Sequence, residues 1–212
     1  MAGDGILYFI AGASRSGKSK FSRKLLNKEK RTLVWDVKDE YARPWDVKAG
    51  RPDRTKVLRG WVITRTKAEL IKALKEKHKG NFKICHVSDR MEDFDYWSRC
   101  AYAFGKVVEI AIVGEELADV TNPSKAPPGW GNVCRKLLGF GCNVYAITQR
   151  PAESDKTALG NATVVHCCRL TNMGDIKRMS QQLNVPIEQV NDLKDREFIQ
   201  RWSSGELKKG KV

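Results

Sequence analysis

Gly12-Ala13-Ser14-Arg15-Ser16-Gly17-Lys18-Ser19 is the stretch of this sequence that decides the fold. Its spacing, G-x-x-x-x-G-K-[ST], is that of a loop that binds the phosphates of nucleoside triphosphates. The apolar run at residues 6–11 before it has the length of a strand, and Phe21, Leu25 and Leu26 after it fall on one face of a helix. A strand, a glycine-rich loop and a helix in this order predict a nucleotide-binding site.

The residue types in this phosphate loop (residues 12–19) each suit contact with an anion. The two glycines let the backbone approach a phosphate closely, and successive N–H groups face the anion at the positive end of the helix. We expect Lys18 to reach the β- and γ-phosphates of ATP and the Ser19 hydroxyl to complete the shell of a Mg²⁺ ion. Nucleotide contacts are predicted for every residue of the loop: Gly12, Ala13, Ser14, Arg15, Ser16, Gly17, Lys18 and Ser19.

The composition indicates a polyanionic partner. The 212 residues include 39 Lys and Arg against 25 Asp and Glu, a formal net charge of +14. Such a balance favours nucleic acid or an anionic membrane surface as the partner, and a basic protein with a merely solvated surface is the alternative.

The length predicts one domain over residues 1–212, with a core at about 6–170 and an extension at 171–212. Without an 18-residue apolar run or a signal peptide, we expect no membrane span and a place in the cytosol.

Predicted strands and helices alternate along the chain. Such alternation predicts an α/β fold with a mostly parallel sheet covered by helices, ending in a short hairpin or lysine-rich tail. Residues 38–59 are predicted to form a surface excursion and residues 119–131 a loop. The predicted strands are 6–11, 31–37, 60–64, 81–87, 106–113, 143–148, 163–170 and 197–202, and the predicted helices are 66–78, 92–104, 132–139 and 175–183, with a short helix after Pro186.

Two adjacent carboxylates follow the most apolar of these strands. Glu115 and Glu116 would lie at the carboxyl edge of the sheet, where open α/β sheets bind nucleotide. We expect Glu115 to hold Mg²⁺ and Glu116 to orient the attacking water; a solvated acidic turn is the alternative. Asp36, at the end of the second strand, is the other candidate metal ligand. Gln149 ends a further strand, where its amide could sense the γ-phosphate. Structural roles are expected for the three scattered histidines, His78, His86 and His166.

Three sequence features together resemble the FtsK/HerA superfamily of DNA-pumping ATPases. They are the phosphate loop, the strand ending in Glu115-Glu116-Leu117-Ala118-Asp119, and Tyr145-Ala146-Ile147-Thr148-Gln149-Arg150-Pro151. The T-Q-R-P step is the specific part, and Asn161 to Val165 followed by Arg169-Leu170 continues the pattern. The resemblance covers residues 6–170. The compact chain is most similar to the genome-packaging ATPases of membrane-containing icosahedral viruses with double-stranded DNA.

The resemblance implies a RecA- or FtsK/HerA-like P-loop fold and an activity. ATP hydrolysis with Mg²⁺ would drive double-stranded DNA through a ring of identical subunits, usually six, with Lys18 and Ser19 on phosphate and metal, Glu116 as base and Gln149 as sensor. Capsid or portal vertex proteins would be partners, in the cytoplasm of the host cell or at the packaging vertex. The first acid, usually Asp, is Glu115 here. An arginine supplied by a neighbouring subunit is also implied, and three compete for this role: Arg135, Arg150 and Arg169.

Two other functions are weighed against DNA translocation. A P-loop nucleotide or small-molecule kinase would have a similar size, and residues 43–59 could form its lid, but T-Q-R-P has no role there. A basic scaffold that binds nucleotide structurally conflicts with Glu115 and Glu116 beside a complete phosphate loop. For DNA contact we expect Lys125, because its proline-rich loop follows the two glutamates directly and presents this cation beside Trp130, which is predicted to be exposed.

Overall fold

A computed structural model of the chain describes residues 4–77 and 80–212, and its centre is a nine-stranded sheet. The strand order is β11-β10-β9-β1-β8-β7-β2-β6-β5, and β3 and β4 form a separate two-stranded hairpin. The strands are β1 Leu7–Ala11, β2 Arg31–Asp36, β3 Trp45–Asp46, β4 Arg51–Pro52, β5 Trp61–Thr64, β6 Phe82–Val87, β7 Ala111–Gly114, β8 Asn143–Thr148, β9 Val164–Cys168, β10 Glu197–Trp202 and β11 Leu207–Lys211. The helices are α1 Lys18–Leu26, α2 Lys67–Lys77, α3 Met91–Gly105, α4 Leu117–Val120, α5 Pro128–Lys136, α6 Lys156–Gly160, α7 Met173–Leu183 and α8 Ile187–Asn191.

The sheet is mostly parallel, so the predicted α/β class is confirmed. Strands β9, β1, β8, β7, β2, β6 and β5 pair in parallel, and only β10 and β11 run antiparallel to their neighbours. The seven parallel strands therefore end at one edge of the sheet, the carboxyl edge. This edge receives the phosphate loop after β1, Lys38 after β2, Glu115 and Glu116 after β7, and Gln149 after β8.

Helices cover both faces of the sheet because successive strand residues point to opposite sides. In β2, Leu33 and Trp35 join the larger apolar cluster, whereas Val34 joins the cluster that includes Leu26 of α1. Aromatic rings fill the larger side: the centroid of Phe94 lies 5.2 Å from that of Trp35 and 5.4 Å from that of Trp130. The core thus fixes β2, α3 and α5 against one another beneath the carboxyl edge. No helix among residues 4–77 and 80–212 is long and apolar enough to cross a bilayer.

The region around α5 corrects two predictions. The helix predicted at 132–139 begins at Pro128, because proline suits the first helical turn, where no N–H partner is needed. Trp130, predicted to be exposed, is buried on the inner face of that helix. The Gly129 N–H also donates to Asp95 Oδ1 at 2.7 Å, which anchors the helix start. The aromatic partner expected beside Lys125 at the surface is therefore absent.

Two other predictions differ in extent. The strand predicted at 106–113 is shorter, Ala111–Gly114, because α3 continues to Gly105 and a turn follows it. The predicted surface excursion at 38–59 contains a buried part: the Arg43 guanidinium donates to both carboxylate oxygens of Asp39 at 2.9 Å. Trp45 and Val47 in its hairpin are exposed. The end predicted for the second helix, at His78, lies outside the described residues.

The buried histidines predict how stability depends on pH. Burial lowers the pKa of His166 to about 4, against a contrary effect of its hydrogen bond with Gln200, and burial likewise lowers the pKa of His86 to about 4. The unfolded chain therefore binds protons before the folded chain does. Each neutral histidine therefore contributes stability that is complete above pH 6.5 and is lost as the pH drops towards 4, by about 2 kcal/mol at pH 5. The raised pKa of the buried Glu115 acts in the opposite direction over this range. Urea denaturation between pH 7.5 and 5 measures the sum of these contributions.

A matched variant isolates the contribution of His166. Between pH 7.5 and 5, His166→Gln should lose about 2 kcal/mol less stability than the parent, because the proton uptake of His166 is gone while the other titrating groups are the same in both chains. Equal losses in the variant and the parent would show that His166 is not held neutral by the fold.

Candidate active site

The phosphate loop presents a row of open backbone donors. The N–H groups of Ser14, Arg15, Gly17, Lys18 and Ser19 donate no hydrogen bond to any described residue. Two residues of the loop adopt left-handed conformations, with φ of 61° at Arg15 and 112° at Gly17. Successive N–H groups in such a turn, at the start of a nine-residue helix, form a concavity that suits an anion. The loop fits the phosphates of a nucleotide.

Neighbouring strand ends and the C-terminal segment hold this loop in place. Gly12 N–H donates to the carbonyl of Thr148 at 3.2 Å, and Ala13 N–H donates to the carbonyl of Arg169 at 2.8 Å. The carbonyl of Ser16 accepts from the N–H of Arg196 at 2.9 Å. The loop is therefore tied to the ends of β8 and β9 and to the residue before β10.

Lys18, Glu116 and Gln149, predicted from separate motifs, meet at one carboxylate oxygen. Lys18 Nζ lies 3.7 Å from Glu116 Oε1, and Gln149 Nε2 donates a hydrogen bond to the same oxygen. Glu116 itself is buried and sits in the left-handed region, with φ 49° and ψ 53°. The predicted base and sensor are thus in direct contact beside the phosphate loop.

A fourth residue, Lys38, joins this cluster and was not predicted from the sequence. Its Nζ donates to Glu116 Oε1 at 2.5 Å. The signal available in the sequence was only its position two residues after the end of β2. Its contact with Glu116 requires that β2 and β7 be neighbours in the sheet, and they are.

The two glutamates have opposite electrostatic surroundings. Burial raises the pKa of Glu115 to about 8, and the nearby carboxylates of Asp36 and Glu116 add to this effect. Burial alone would also raise the pKa of Glu116, but Lys18, Lys38 and Gln149 hold that pKa below its usual range. Glu116 is therefore already balanced by cations, whereas Lys18 and Lys38 offset the burial of Glu115 only in part.

The free donor atoms fit a divalent cation at Glu115 better than at Asp36. Glu115 Oε2 is buried and makes no hydrogen bond. Both oxygens of Asp36 are occupied by the backbone N–H groups of Lys38, Glu40 and Tyr41, at 2.7–3.1 Å. No group of three or more ligand side chains occurs in the described part of the chain. Mg²⁺ needs no such group, because it takes one or two carboxylates together with phosphate oxygens and water.

The three candidate arginines lie in different places. Arg135 is at the C-terminal end of α5, which runs back from the carboxyl edge, so it lies towards the opposite edge of the sheet. Arg150 follows β8 at the carboxyl edge and donates to the buried Asp175 at 2.8 Å. Arg169 follows β9 and donates to Asp195 at 2.6 Å. The structure does not bring Arg135 to the site of its own chain.

The predicted DNA contact, Lys125, lies in the loop between α4 and α5. It is exposed, and its N–H donates to the carbonyl of Asn122 at 3.1 Å. The short helix α4 joins this loop to Glu116, whose carbonyl accepts from Asp119 N–H at 2.9 Å. Lys125 is therefore separated from Glu116 by one turn of helix and the four residues that follow it.

Comparison with known proteins shows the fold. No protein-family model matches the chain. The chain is 26% identical over 200 residues to Protein P9 of Pseudoalteromonas phage PM2. This match covers 92% of the chain and 84% of that protein.

Solved structures of a viral packaging protein are similar to this chain along its whole length. The genome packaging NTPase B204 from Sulfolobus turreted icosahedral virus 2, in complex with AMPPCP, matches with a TM-score of 0.72 and 13% identity, covering 100% of this chain and 98% of that one. B204, the DNA-packaging ATPase from Sulfolobus turreted icosahedral virus, matches with a TM-score of 0.70 and 17% identity over the same shares. The resemblance to genome-packaging ATPases predicted from the sequence is confirmed at the level of the fold, which is that of a P-loop NTPase.

Gly12→Ala tests the shape of the phosphate loop. A Cβ at this position would lie 2.5 Å from Ser16 Oγ and 2.8 Å from Cys168 Cβ, so the loop would have to shift. We expect the affinity for ATP to fall by at least about tenfold, equivalent to about 1.4 kcal/mol. Titration with a fluorescent ATP analogue measures the loss.

Gly139→Ala is the matched control, because a Cβ there meets no atom within 4 Å. It should bind ATP as the parent does. An ATP affinity in Gly12→Ala equal to that of the parent would mean that phosphate binding does not depend on this conformation of the loop.

Proposed function

We propose that the chain is an ATPase that drives double-stranded DNA into a preformed viral capsid. One observation carries the ATPase assignment: Glu116, Lys18 and Gln149 converge on one carboxylate oxygen beside an open row of phosphate-binding N–H groups. The similar B204 structures, solved with AMPPCP and with ATP-gammaS, are described as a genome packaging NTPase, which supports the same chemistry here.

The chain's own residues supply binding, orientation and a proton acceptor. The phosphate loop and Lys18 bind the β- and γ-phosphates, and Gln149 fixes the position of Glu116. Glu116 then accepts a proton from the water that attacks the γ-phosphate. Mg²⁺, held by Ser19 and Glu115, would neutralise charge on the phosphate oxygens when bound. A catalytic base of this kind contributes about 10²- to 10⁴-fold to the rate.

The structure favours hydrolysis over the kinase alternative. Arg43, the first arginine of the predicted lid, is buried and held by Asp39, so it is not available to close over an acceptor substrate. Gln149 contacts the proposed base directly, a role that a lid-based kinase does not require.

The partners proposed are double-stranded DNA, further copies of this chain in a ring of six, and capsid or portal vertex proteins. The site of action would be the cytoplasm of the host cell. Arg135, Arg150 and Arg169 are the candidates for an arginine supplied by a neighbouring subunit, and of these Arg150 and Arg169 lie at the carboxyl edge. The net charge of +14 supports an acidic partner.

The DNA contact proposed at Lys125 has further cations nearby. A groove of about 270 Å³ is lined by Pro123 of the same loop and by Lys156, Lys177 and Arg178. None of these three cations is in an ion pair with a described residue. Unpaired cations along a groove suit contact with successive phosphates, which position DNA without reading its sequence.

Two substitutions separate binding from hydrolysis. Glu116→Gln should retain ATP binding but lose turnover by at least about 10²-fold, because an amide cannot take the proton of water. Lys18→Ala should weaken ATP binding itself. Phosphate release and equilibrium binding of an ATP analogue, measured on the same preparations, test both. Near-parental turnover in Glu116→Gln would remove Glu116 as the base and make Glu115 the next residue to test.

Lys125→Ala tests the DNA contact. We expect weaker DNA binding, a slope of log affinity against log salt that is shallower by about 1, and reduced DNA stimulation, while hydrolysis without DNA is unchanged. Lys28→Ala, at the exposed residue just beyond the far end of α1, is the control and should change none of these. An unchanged salt slope in Lys125→Ala would place the DNA path elsewhere.

A further inference from the structure

Lys38 is fixed by contacts on both sides of its backbone. Its N–H donates to Asp36 Oδ1 at 3.1 Å, and its carbonyl accepts from the Arg54 guanidinium at 2.8 Å. Asp36 in turn receives two more backbone N–H groups from the residues that follow. The start of the surface excursion (residues 38–59) is therefore a rigid turn, and it aims the Lys38 side chain inward.

The inward aim of Lys38 brings an ammonium group onto a buried carboxylate. The Lys38 side chain is 39% exposed, whereas that of Glu116 is 5% exposed. The 2.5 Å contact thus joins a side chain reachable from solvent to the proposed base inside the site.

The contacts of Glu116 are divided unequally between its two oxygens. Oε1 accepts from both Lys38 and Gln149, which come from the ends of two different strands. Oε2 accepts no hydrogen bond from any described residue. Two donors on one oxygen fix the orientation of the carboxylate and leave the second oxygen as the acceptor for water.

We propose that Lys38 is a positioning residue for ATP hydrolysis, which holds Glu116 Oε1 so that Oε2 faces the attacking water. This proposal rests on the ATPase function proposed above.

Lys18 cannot replace Lys38 in this task. Lys18 Nζ is 3.7 Å from Glu116 Oε1, beyond hydrogen-bond distance. When nucleotide is bound, the Lys18 ammonium group would contact the phosphates instead. Lys38 comes from the turn after β2 and not from the phosphate loop, so it is the cation that stays on Glu116 when nucleotide is bound. Without it, only the neutral amide of Gln149 would hold the carboxylate.

Steady-state hydrolysis and nucleotide binding of Lys38→Met test the assignment. We expect kcat to fall by about 10- to 100-fold, the effect of misplacing a catalytic group, while the affinity for an ATP analogue stays within about twofold of the parent. Lys38→Arg keeps the charge and a donor and should restore part of the rate. Lys48→Met, in the exposed hairpin of the same excursion, is the matched control and should leave both quantities unchanged.

A double-mutant cycle shows whether Lys38 acts through Glu116. Glu116→Asp shortens the base and withdraws it from Lys38, so adding Lys38→Met should cost much less in this background than in the parent. Equal costs in both backgrounds would overturn the proposal, as would parental kcat in Lys38→Met or a parallel loss of ATP affinity. If the parent chain hydrolyses no ATP, the proposed function fails instead, so the two failures are distinguishable.

Discussion

The burial of three carboxylates beside the phosphate loop is the constraint on which the site depends. Each buried charge has a large desolvation cost unless it is paired or hydrogen-bonded. The three carboxylates differ in the partners that offset this cost. Asp36 accepts three backbone N–H groups, which makes it the anchor of a turn. Glu116 is met by Lys18, Lys38 and Gln149. Glu115 keeps one buried oxygen without a partner. This unequal compensation separates an anchor, a candidate base and a candidate metal ligand among residues of similar chemistry.

The sheet order makes that cluster possible. Strands β1, β8, β7 and β2 are consecutive neighbours, and each delivers one component of the site to the same edge. The phosphate loop is also hydrogen-bonded to the ends of β8 and β9. A shift of the loop would therefore move Gln149 and Arg169. The path outward from Glu116 runs through one turn of helix to the loop of Lys125. The phosphate loop at one end and the proposed DNA contact, Lys125, at the other are thus linked by short, hydrogen-bonded segments.

Local patterns in the sequence predicted the parts of this site that depend on chain neighbours. The spacing of Gly12, Gly17 and Lys18 and the position of the two glutamates after an apolar strand are of this kind. Lys38 was missed because its contact with Glu116 crosses between strands that are distant in sequence. Trp130 was misjudged because a proline-rich stretch suggested a loop, whereas Pro128 begins a helix and turns the indole into the core. The strand expected from residue 106 was too long because apolar content does not show where α3 ends.

The rate of ATP hydrolysis with and without long double-stranded DNA, with the mass of the particle determined in the same buffers, tests the central claim most directly. The account predicts turnover that rises when DNA is added, carried by a particle whose mass is a multiple of that of one chain, and abolished in both conditions by Glu116→Gln. A monomer that hydrolyses ATP at the same rate with and without DNA would contradict it.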